Sequence, residues 1–289
     1  MERSLLAPGH RACAGCAMPT TIRLVLDAAG PNTIVVSPTG CLEVVTTPFP
    51  ESAWCVPWIH SLFENPAAVA SGVEVMLKRR GRDTNVVVIG GDGSTFDIGM
   101  GSNSGMFERG HKVLYVCYDN EAYMNTGVQR SSATPWGAWT TTTPATHFKG
   151  QEKKNIMEIM AAHRIPYAAT ASISMPEDLM AKVERARDTR GTRFLHIFCP
   201  CPTGWRSSPD LTIELARAAV ESRAFPLYEI FDGAKRRLSL DPAPPAPVAD
   251  YIRPQGRFRH LDSEQIEAIQ KRVDEEWLSL LRLIENNPA

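Results

Sequence analysis

A glycine-rich turn, set within an alternation of apolar strands and helices, constrains the fold most. The turn Gly90–Ser94 follows the strand-like run Val86–Ile89 and precedes a helix-like stretch, Ile98–Glu108. Glycines let the backbone approach a bound group closely, and a following helix supplies amide donors and a positive dipole end. Gly-Asp-Gly alone is most often an ordinary turn between a strand and a helix. A second motif is therefore needed before the turn can be assigned to a ligand.

An asparagine at the end of the next apolar strand supplies that second motif. Asn120 stands 28 residues after Asp92 and follows the strand Val113–Tyr118. Open α/β sheets bind ligands at the carboxyl ends of their strands, so both side chains are expected at one edge. Mg²⁺ takes oxygen ligands and usually keeps a phosphate in its coordination shell. The pair predicts Mg²⁺ between Asp92, Asn120 and a diphosphate, which is typical of a thiamine diphosphate site.

Strand and helix candidates alternate along the chain, which predicts an α/β fold with a parallel sheet and helices on both faces. The apolar strand candidates are Thr33–Ser37, Val86–Ile89, Val113–Tyr118, Tyr167–Thr170 and Phe194–Phe198. The helix candidates are Pro19–Ala29, Ala67–Arg79, Ile98–Glu108, Lys153–His163 and Pro176–Thr189.

Two segments depart from this alternation. Asn125–Gly150 lacks clear periodicity, and a loop of that length inside a domain is usually functional. Asp241–Pro247 is rich in proline and is typical of an extended linker. It leads to an amphipathic helix, Ser263–Glu285, which we expect to pack or to contact another subunit. We therefore predict a diphosphate-binding domain over residues 1–237 and a C-terminal extension over 238–289.

The composition argues against nucleic-acid and membrane partners. The formal net charge of −1 provides no basic surface for nucleic acid or for anionic lipid. No apolar run approaches the ~20 residues that a membrane helix needs. The segment Met1–Ser4 also lacks a signal-peptide pattern. A cytoplasmic location is the resulting expectation.

The cysteine spacing indicates a metal centre. Seven cysteines in a chain without an export signal are not expected to form disulfides. Cys13 and Cys16 form a C-x-x-C motif, Cys41 follows a Thr-Gly turn, and Cys199 and Cys201 lie far downstream. An iron–sulfur cluster needs four thiolates, so the first three cysteines plus one of the last two would hold a [4Fe–4S] cluster. The spacing leaves that last choice open, because residues two apart on a strand share a face.

Structural burial and zinc binding are the competing interpretations of the cysteines. Buried structural cysteines are common, and Cys117 and Cys55 fit that description. A structural zinc site often uses two C-x-x-C pairs, whereas this sequence has one. We therefore favour a cluster over zinc.

Together these motifs are similar to those of the thiamine-diphosphate-binding β subunit of the 2-oxoacid:ferredoxin oxidoreductases, most of all the pyruvate:ferredoxin oxidoreductase branch. One departure is Ala17, where that family leads us to expect glycine. The matching stretches are Gly9–Cys16, Gly90–Ser94, Tyr118–Gly127, Gln129–Ser132, Thr134–Ala138, Cys201–Trp205, Pro226–Glu229 and Gln255–Phe258.

The resemblance implies a role for each matching residue. The cluster ligands would be Cys13, Cys16, Cys41 and Cys201, with Cys199 outside the set. Mg²⁺ would be held by the side chains of Asp92 and Asn120 and by the carbonyl oxygen of Ala122. The cofactor turn would comprise Gly91, Asp92, Gly93 and Ser94. Asn125 would face the reactive part of the cofactor and is the candidate catalytic residue.

The implied activity is the oxidative decarboxylation of a 2-oxoacid, with pyruvate favoured and coenzyme A taking the acyl group. Electrons would pass through the cluster to ferredoxin or another acceptor. The implied partners are an α subunit, a γ subunit and a ferredoxin-like δ subunit. In this family the α subunit carries the carboxylate that activates the cofactor, so the chain alone is expected to be inactive.

Several alternatives remain open from the sequence. The substrate could be another 2-oxoacid, such as phenylglyoxylate or oxalate, and the final acceptor could be NAD. Remoter possibilities are a non-redox thiamine diphosphate decarboxylase or ligase and a zinc-stabilised scaffold subunit. His60 is either an acid–base group or a hydrogen-bonded core histidine, and the second is favoured. Arg130 could meet a substrate carboxylate or form a surface ion pair.

Overall fold

One sheet of eight strands organises residues 4–289, the part of the chain that the computed structural model describes. The strands are β1 (Thr33–Pro38), β2 (Trp58–Ser61), β3 (Asn85–Gly91), β4 (Val113–Asp119), β5 (Tyr167–Ser172), β6 (Arg193–Phe198), β7 (Tyr228–Phe231) and β8 (Lys235–Leu238). Their spatial order is β2-β1-β3-β4-β6-β5-β7-β8. The first six strands pair in parallel, whereas β7 is antiparallel to both of its neighbours, β5 and β8. The predicted α/β fold is confirmed, with an antiparallel pair added at one edge. Of the N-terminal segment considered above, Met1–Arg3 lie outside the described residues.

Helices connect the strands and cover the sheet. They are α1 (Met18–Ala29), α2 (Cys41–Thr46), α3 (Pro66–Arg79), α4 (Met100–Glu108), α5 (Ile156–Ala162), α6 (Pro176–Asp188), α7 (Pro202–Trp205), α8 (Thr212–Glu221), α9 (Val248–Ile252) and α10 (Ser263–Asn286). Among residues 4–289, no helix combines the length and the apolar character needed to cross a bilayer.

Neighbouring residues of each central strand point into different cores. Val35 packs into a core with α1, α6 and α8, whereas Val36 packs into a core with α3, α4 and α5. The same division separates Val87 from Val88. This alternation follows from the two-residue period of a strand, and helices on both faces explain why nearly every strand residue is apolar.

Two predicted helix starts are corrected by local interactions. The helix expected from Lys153 begins at Ile156, because the Asn155 side chain accepts a hydrogen bond from the Glu158 amide and caps the helix there. The helix expected from Ile98 is preceded by a π-helical turn, Gly93–Ile98, and the α-helix itself begins at Met100.

The C-terminal segment packs against the rest of the chain. Helix α10 has a capping box formed by Asp262 and Gln265, and it buries Val273, Trp277 and Leu280. It contacts α9 and β8. The predicted terminal helix is confirmed, while the domain boundary after residue 237 stays a prediction and falls inside β8.

Candidate active site

Loops that carry the predicted metal ligands follow four adjacent strands. Cys41 follows β1, Asp92 follows β3, Asn120 follows β4 and Cys201 follows β6. These strands are neighbours in the order β1-β3-β4-β6, and all are parallel. Their carboxyl ends therefore meet at one edge of the sheet, where open α/β sheets bind ligands.

A cavity of about 330 Å³ opens at this edge. Six of the seven residues predicted for the cofactor and its metal line it, and Cys41 lines it too. Those six are Gly91, Asp92, Gly93, Asn120, Ala122 and Asn125. Ser94 is not among the lining residues, and its hydroxyl donates to the carbonyl oxygen of Phe63 at 2.7 Å.

Three polar groups converge at the cavity wall. One terminal atom of the Asn120 amide lies 3.0 Å from Asp92 Oδ1 and 2.9 Å from the carbonyl oxygen of Ala122. With nitrogen in that position, the amide donates two hydrogen bonds. With oxygen there, three oxygens face one another, and a cation between them is needed to make that favourable. Adjacent ligands of an octahedral Mg²⁺ at about 2.1 Å stand about 3.0 Å apart, so the spacing fits this ion.

The Asp92 carboxylate is buried and held in one orientation. Only 1% of the residue is exposed. Its Oδ2 accepts a hydrogen bond from Ser131 Oγ at 2.5 Å, which leaves Oδ1 facing Asn120. Burial, followed by the charge of Asp119, raises the pKa of Asp92 well above its usual value. A cation beside this carboxylate would offset both effects, because an opposite charge favours the ionised form.

Glycine at position 93 lets the two loops meet. A Cβ there would come within 3.0 Å of the Tyr123 ring and 3.2 Å from Phe63 Cζ. Tyr123 cannot move away freely, because its hydroxyl donates to Asp97 Oδ2 at 2.7 Å and its amide donates to the Gln129 carbonyl at 2.9 Å. The glycine predicted for the cofactor turn therefore also fixes how the loops after β3 and β4 pack.

A buried charge network fixes the backbone on either side of Asn120. Asp119 Oδ2 contacts Lys153 Nζ at 2.6 Å and His196 Nε2 at 2.7 Å. Lys153 also contacts Glu121 Oε1 at 2.8 Å, and Arg257 contacts Glu121 Oε2 at 2.5 Å. Burial opposes ionisation, but Lys153 and His196 hold the pKa of Asp119 at about 2.

Glu121 needs this support because its backbone is in the left-handed region, with φ of 69°. A residue with a Cβ adopts that conformation only at a cost in free energy. Thr134 Oγ1 donates to the Glu121 carbonyl at 2.6 Å, and the Glu121 amide donates to Asp119 Oδ1 at 2.9 Å. The unusual turn directs the Ala122 carbonyl towards Asn120.

Four cysteines share one neighbourhood beside this cavity. Burial raises the pKa of Cys16 to about 11 and that of Cys41 to about 12, and nearby thiols add to both shifts. Burial also raises the pKa of Cys201, and Cys13 contributes to the shifts of the other three. Cys13 is exposed, whereas the other three are half-buried.

The thiols are not arranged around a single ion. Within residues 4–289, no three His, Cys, Asp or Glu side chains are gathered closely enough to hold a metal ion. A structural zinc ion and a [4Fe–4S] cluster both use four protein ligands, and the cluster takes one cysteine for each iron. The choice of a cluster over zinc at these four thiols stays a prediction.

The remaining cysteines have different surroundings. Cys199 is buried, and its Sγ donates to Thr21 Oγ1 at 3.2 Å. Cys117 is buried in β4, as expected of a structural cysteine. Cys55 is exposed, so the expectation that it is buried was wrong. It lies in the segment just before β2, the strand at one edge of the sheet.

His60 is also exposed, so the expectation of a core histidine was wrong. Its Nε2 lies 2.8 Å from Thr39 Oγ1, and its ring stacks on Trp58 with centroids 5.9 Å apart. Edge strand β2 leaves one side of the ring in solvent. Arg130 is half-buried, and its backbone amide donates to Thr142 Oγ1 at 3.0 Å.

Several residues that shape the site were not singled out from the sequence. Ser131 orients Asp92, Lys153 holds the carboxylates beside Asn120, and the Trp205 indole donates to the Asn120 carbonyl at 2.8 Å. Ser131 and Trp205 lie within the stretches that match the family, which was the available signal. Lys153 had no signal, because its partners are distant in the sequence.

A family profile described as "Thiamine pyrophosphate enzyme, C-terminal TPP binding domain" matches residues 38–197. That range contains Asp92, Asn120, Ala122 and Asn125. It ends before Cys201 and begins after the C-x-x-C motif. The profile therefore covers the cofactor loops and only one of the four proposed cluster ligands, Cys41.

Relatives match almost the whole chain. The pyruvate synthase subunit PorB of Methanothermobacter marburgensis is 56% identical over 94% of this chain and 96% of its own length. PorB of Methanosarcina barkeri is 52% identical, covering 94% and 95%. The ketoisovalerate oxidoreductase subunit VorB of Pyrococcus abyssi is 47% identical, covering 96% and 92%.

A solved structure shares the fold. The 2-oxoglutarate:ferredoxin oxidoreductase from Magnetococcus marinus aligns with a TM-score of 0.59 at 24% identity, covering 74% of this chain and 79% of the other. This solved structure supports the fold alone, whereas the profile and the relatives support the assignment to a family. The chain therefore belongs to the thiamine pyrophosphate enzymes and, among them, to the PorB and VorB subunits of the 2-oxoacid:ferredoxin oxidoreductases.

Proposed function

We propose that this chain binds Mg²⁺–thiamine diphosphate and a [4Fe–4S] cluster within a multisubunit, cytoplasmic 2-oxoacid oxidoreductase. The observation that carries the proposal is the convergence of Asp92, Asn120 and the Ala122 carbonyl, spaced 2.9–3.0 Å, in the wall of a 330 Å³ cavity. Cys13, Cys16, Cys41 and Cys201 would hold the cluster next to that cavity.

Each residue of the cavity has a defined task in this proposal. Asp92, Asn120 and the Ala122 carbonyl would hold the ion, and the ion would fix the diphosphate. Gly91 and Gly93 would let the backbone approach that diphosphate. When bound, thiamine diphosphate supplies an electron sink for the decarboxylation of a 2-oxoacid. Asn125, exposed where it lines the cavity, would orient the substrate beside the cofactor.

Cys41 supports a redox role. It lines the same cavity as Asp92 and Asn120, so a cluster bound through its sulfur would adjoin the cofactor. This proximity distinguishes the proposal from a non-redox decarboxylase or ligase, which has no use for thiolates beside the cavity. A cluster there would carry single electrons towards ferredoxin or another acceptor.

We propose pyruvate as the substrate and coenzyme A as the acyl acceptor. The compared relatives above 50% identity are pyruvate synthase subunits, at 56% and 52%, whereas PorB and VorB of Pyrococcus furiosus match this chain about equally, at 45% and 46%. A branched 2-oxoacid is the second candidate, because the ketoisovalerate subunit of Pyrococcus abyssi also matches along nearly its full length. Pockets distinguish substrates that differ by one methylene by only ~1–3 kcal/mol, so a few substitutions would change the preference.

The test uses the chain in complex with its α, γ and δ partner subunits. Reduction of a low-potential acceptor would be followed with pyruvate or with 2-oxoisovalerate, in the presence of coenzyme A, Mg²⁺ and thiamine diphosphate. We expect pyruvate to give the higher kcat/KM, and we expect the isolated chain to be inactive. Asp92→Ala should abolish thiamine diphosphate binding, whereas Asp83→Ala, an exposed carboxylate outside the cavity, should leave it unchanged. Wild-type binding by the Asp92 variant would refute the proposed metal site.

A further inference from the structure

The helical turn α7 connects a proposed cluster ligand to the proposed metal loop. Cys201 is its N-cap, and its Sγ accepts a hydrogen bond from the Gly204 amide at 3.4 Å. The Trp205 amide donates to the Cys201 carbonyl at 2.8 Å. The position of the Trp205 side chain is therefore fixed relative to Cys201 by one helical turn.

The opposite end of α7 contacts the loop after β4. Trp205 is fully buried, and its indole Nε1 donates to the carbonyl oxygen of Asn120 at 2.8 Å. The side chain of that same Asn120 faces Asp92 Oδ1 and the Ala122 carbonyl. One hydrogen bond thus separates the Cys201 turn from the residue that would bind Mg²⁺.

A contact between Gly204 and the Met124 side chain strengthens this connection. A Cβ at Gly204 would overlap the sulfur of Met124, which lines the cavity two residues after Ala122. Glycine therefore leaves room for the Met124 side chain against α7. The turn therefore contacts the cofactor loop at two points, the Asn120 carbonyl and the Met124 side chain.

The C-terminal extension holds the indole from its other face. The Arg257 guanidinium carbon lies 4.0 Å from the centre of the Trp205 ring, and the same arginine contacts Glu121 Oε2 at 2.5 Å. The Phe198 ring lies 5.4 Å from the indole between centroids. Because the ring is held on several sides, a movement of Cys201 is passed to Asn120 and is not absorbed by rotation of the indole.

We propose that Trp205 is a positioning residue that couples the thiolate site to the thiamine diphosphate site, a role that rests on the proposed function. Filling the thiolate site orders Cys201, and through the indole it orders Asn120, so the diphosphate binds more tightly. The conformational entropy lost on ordering Asn120 is then lost when the thiolate site is filled, so it no longer opposes binding of the diphosphate. Linkage requires the reverse effect to be equal, so bound diphosphate stabilises the cluster by the same factor.

The test compares thiamine diphosphate affinity in the intact complex across a double-mutant cycle. Trp205→Phe keeps a buried ring but removes the hydrogen bond to Asn120. Cys13→Ser removes the most exposed of the four thiols and with it the cluster. We expect each single variant to weaken binding on the order of tenfold, the effect of one lost hydrogen bond to a buried carbonyl. When Trp205→Phe is already present, adding Cys13→Ser should weaken thiamine diphosphate binding by less than about threefold.

Trp277→Phe is the matched control. Trp277 is another buried indole with a guanidinium stacked on it, with 4.4 Å between Arg223 Cζ and the ring centre, but it belongs to α10 and does not line the cavity. We expect this variant to bind thiamine diphosphate like the wild type. An equal loss of affinity from Cys13→Ser in both the wild-type and Trp205→Phe backgrounds would overturn the coupling.

Hydrogen exchange provides a second measurement that needs no change at Trp205, should that variant fail to assemble. Thiamine diphosphate should slow amide exchange in Cys201–Trp205, and Cys13→Ser should speed exchange in Asn120–Met124. Unchanged exchange in both segments would overturn the coupling. If the wild-type complex binds no thiamine diphosphate, or if Cys13→Ser leaves its iron content unchanged, the proposed function itself fails.

Discussion

Gly93→Ala gives the sharpest test of how the cofactor loops pack. The added Cβ would come within 3.0 Å of the Tyr123 ring, whereas carbon atoms in contact normally stand about 3.5–4.0 Å apart. The ring must therefore shift by at least about 0.5 Å, and the Tyr123–Asp97 hydrogen bond of 2.7 Å resists that shift. Overpacking costs about 1–3 kcal/mol, and a strained hydrogen bond to a carboxylate adds to it. Tyr123 lies between Ala122 and Asn125, so this cost should appear as displacement of the cofactor loop.

The expected result is thiamine diphosphate binding weakened by about 10–100-fold, which corresponds to about 1.4–2.8 kcal/mol. Calorimetric titration of the complex measures it. Gly101→Ala is the control, because nothing lies within 4 Å of a Cβ there and alanine favours its helix. Tyr123→Phe frees the ring from Asp97, so Gly93→Ala should cost less in that background. Wild-type affinity in the Gly93→Ala complex would refute the steric reasoning.

Three further predictions concern the thiols and two buried ion networks. Cys41→Ser should lower iron by about four atoms per complex and reduce the absorbance near 400 nm, whereas Cys55→Ser, an exposed thiol outside the set, should change neither. Lys153→Met removes the cation that two buried carboxylates share and leaves Asp119 with His196 and Glu121 with Arg257. It should destabilise the chain by about 3–5 kcal/mol in chemical denaturation. Burial opposes the shift, but hydrogen bonds from Arg237 and Tyr167 lower the pKa of Glu229 below its usual value. The Glu229 carboxylate thus stabilises the fold above the unfolded pKa of about 4.5, and this is lost as the pH falls through the folded pKa. Glu229→Gln should cost about 1–3 kcal/mol at pH 7, a range reduced because the two arginine partners are partly exposed, and the cost should shrink steadily as the pH falls below 4.5.

The parallel core of the fold was predictable because its strands are long and apolar. Val86–Ile89 and Val113–Tyr118 must be buried on both faces, and that requirement alone places them in the centre of a sheet. The edge strands were not predicted. β7 contains the buried charge of Glu229, and β8 is Lys-Arg-Arg-Leu, with one apolar residue in four positions. Strands this short are recognised from their pairing, which a linear pattern does not contain.

Some residues of the candidate site were likewise predictable from the sequence, and others were not. Asp92 and Asn120 were predictable because each ends an apolar strand, and the topology then brings them together. Ser131 and Lys153 were not predictable, because their partners are distant in the sequence. Ser131 contacts Asp92 across 39 residues, and Lys153 contacts Glu121 across 32 residues. The left-handed turn at Glu121 likewise depends on Thr134, which no local preference indicates.

The order of the strands sets the separation between the two strands that precede Cys41 and Cys201. β1 and β6, which precede Cys41 and Cys201, are separated by three strand-to-strand steps of about 4.8 Å, or roughly 14 Å in total. The two strands between them, β3 and β4, carry Asp92 and Asn120. Loops that bring the outer pair of sulfurs together would therefore pass close to the side chains of Asp92 and Asn120. If the proposed cluster and cofactor are bound there, an electron leaving the cofactor would have only a short gap to cross. That gap would be the same whichever 2-oxoacid supplied the electron.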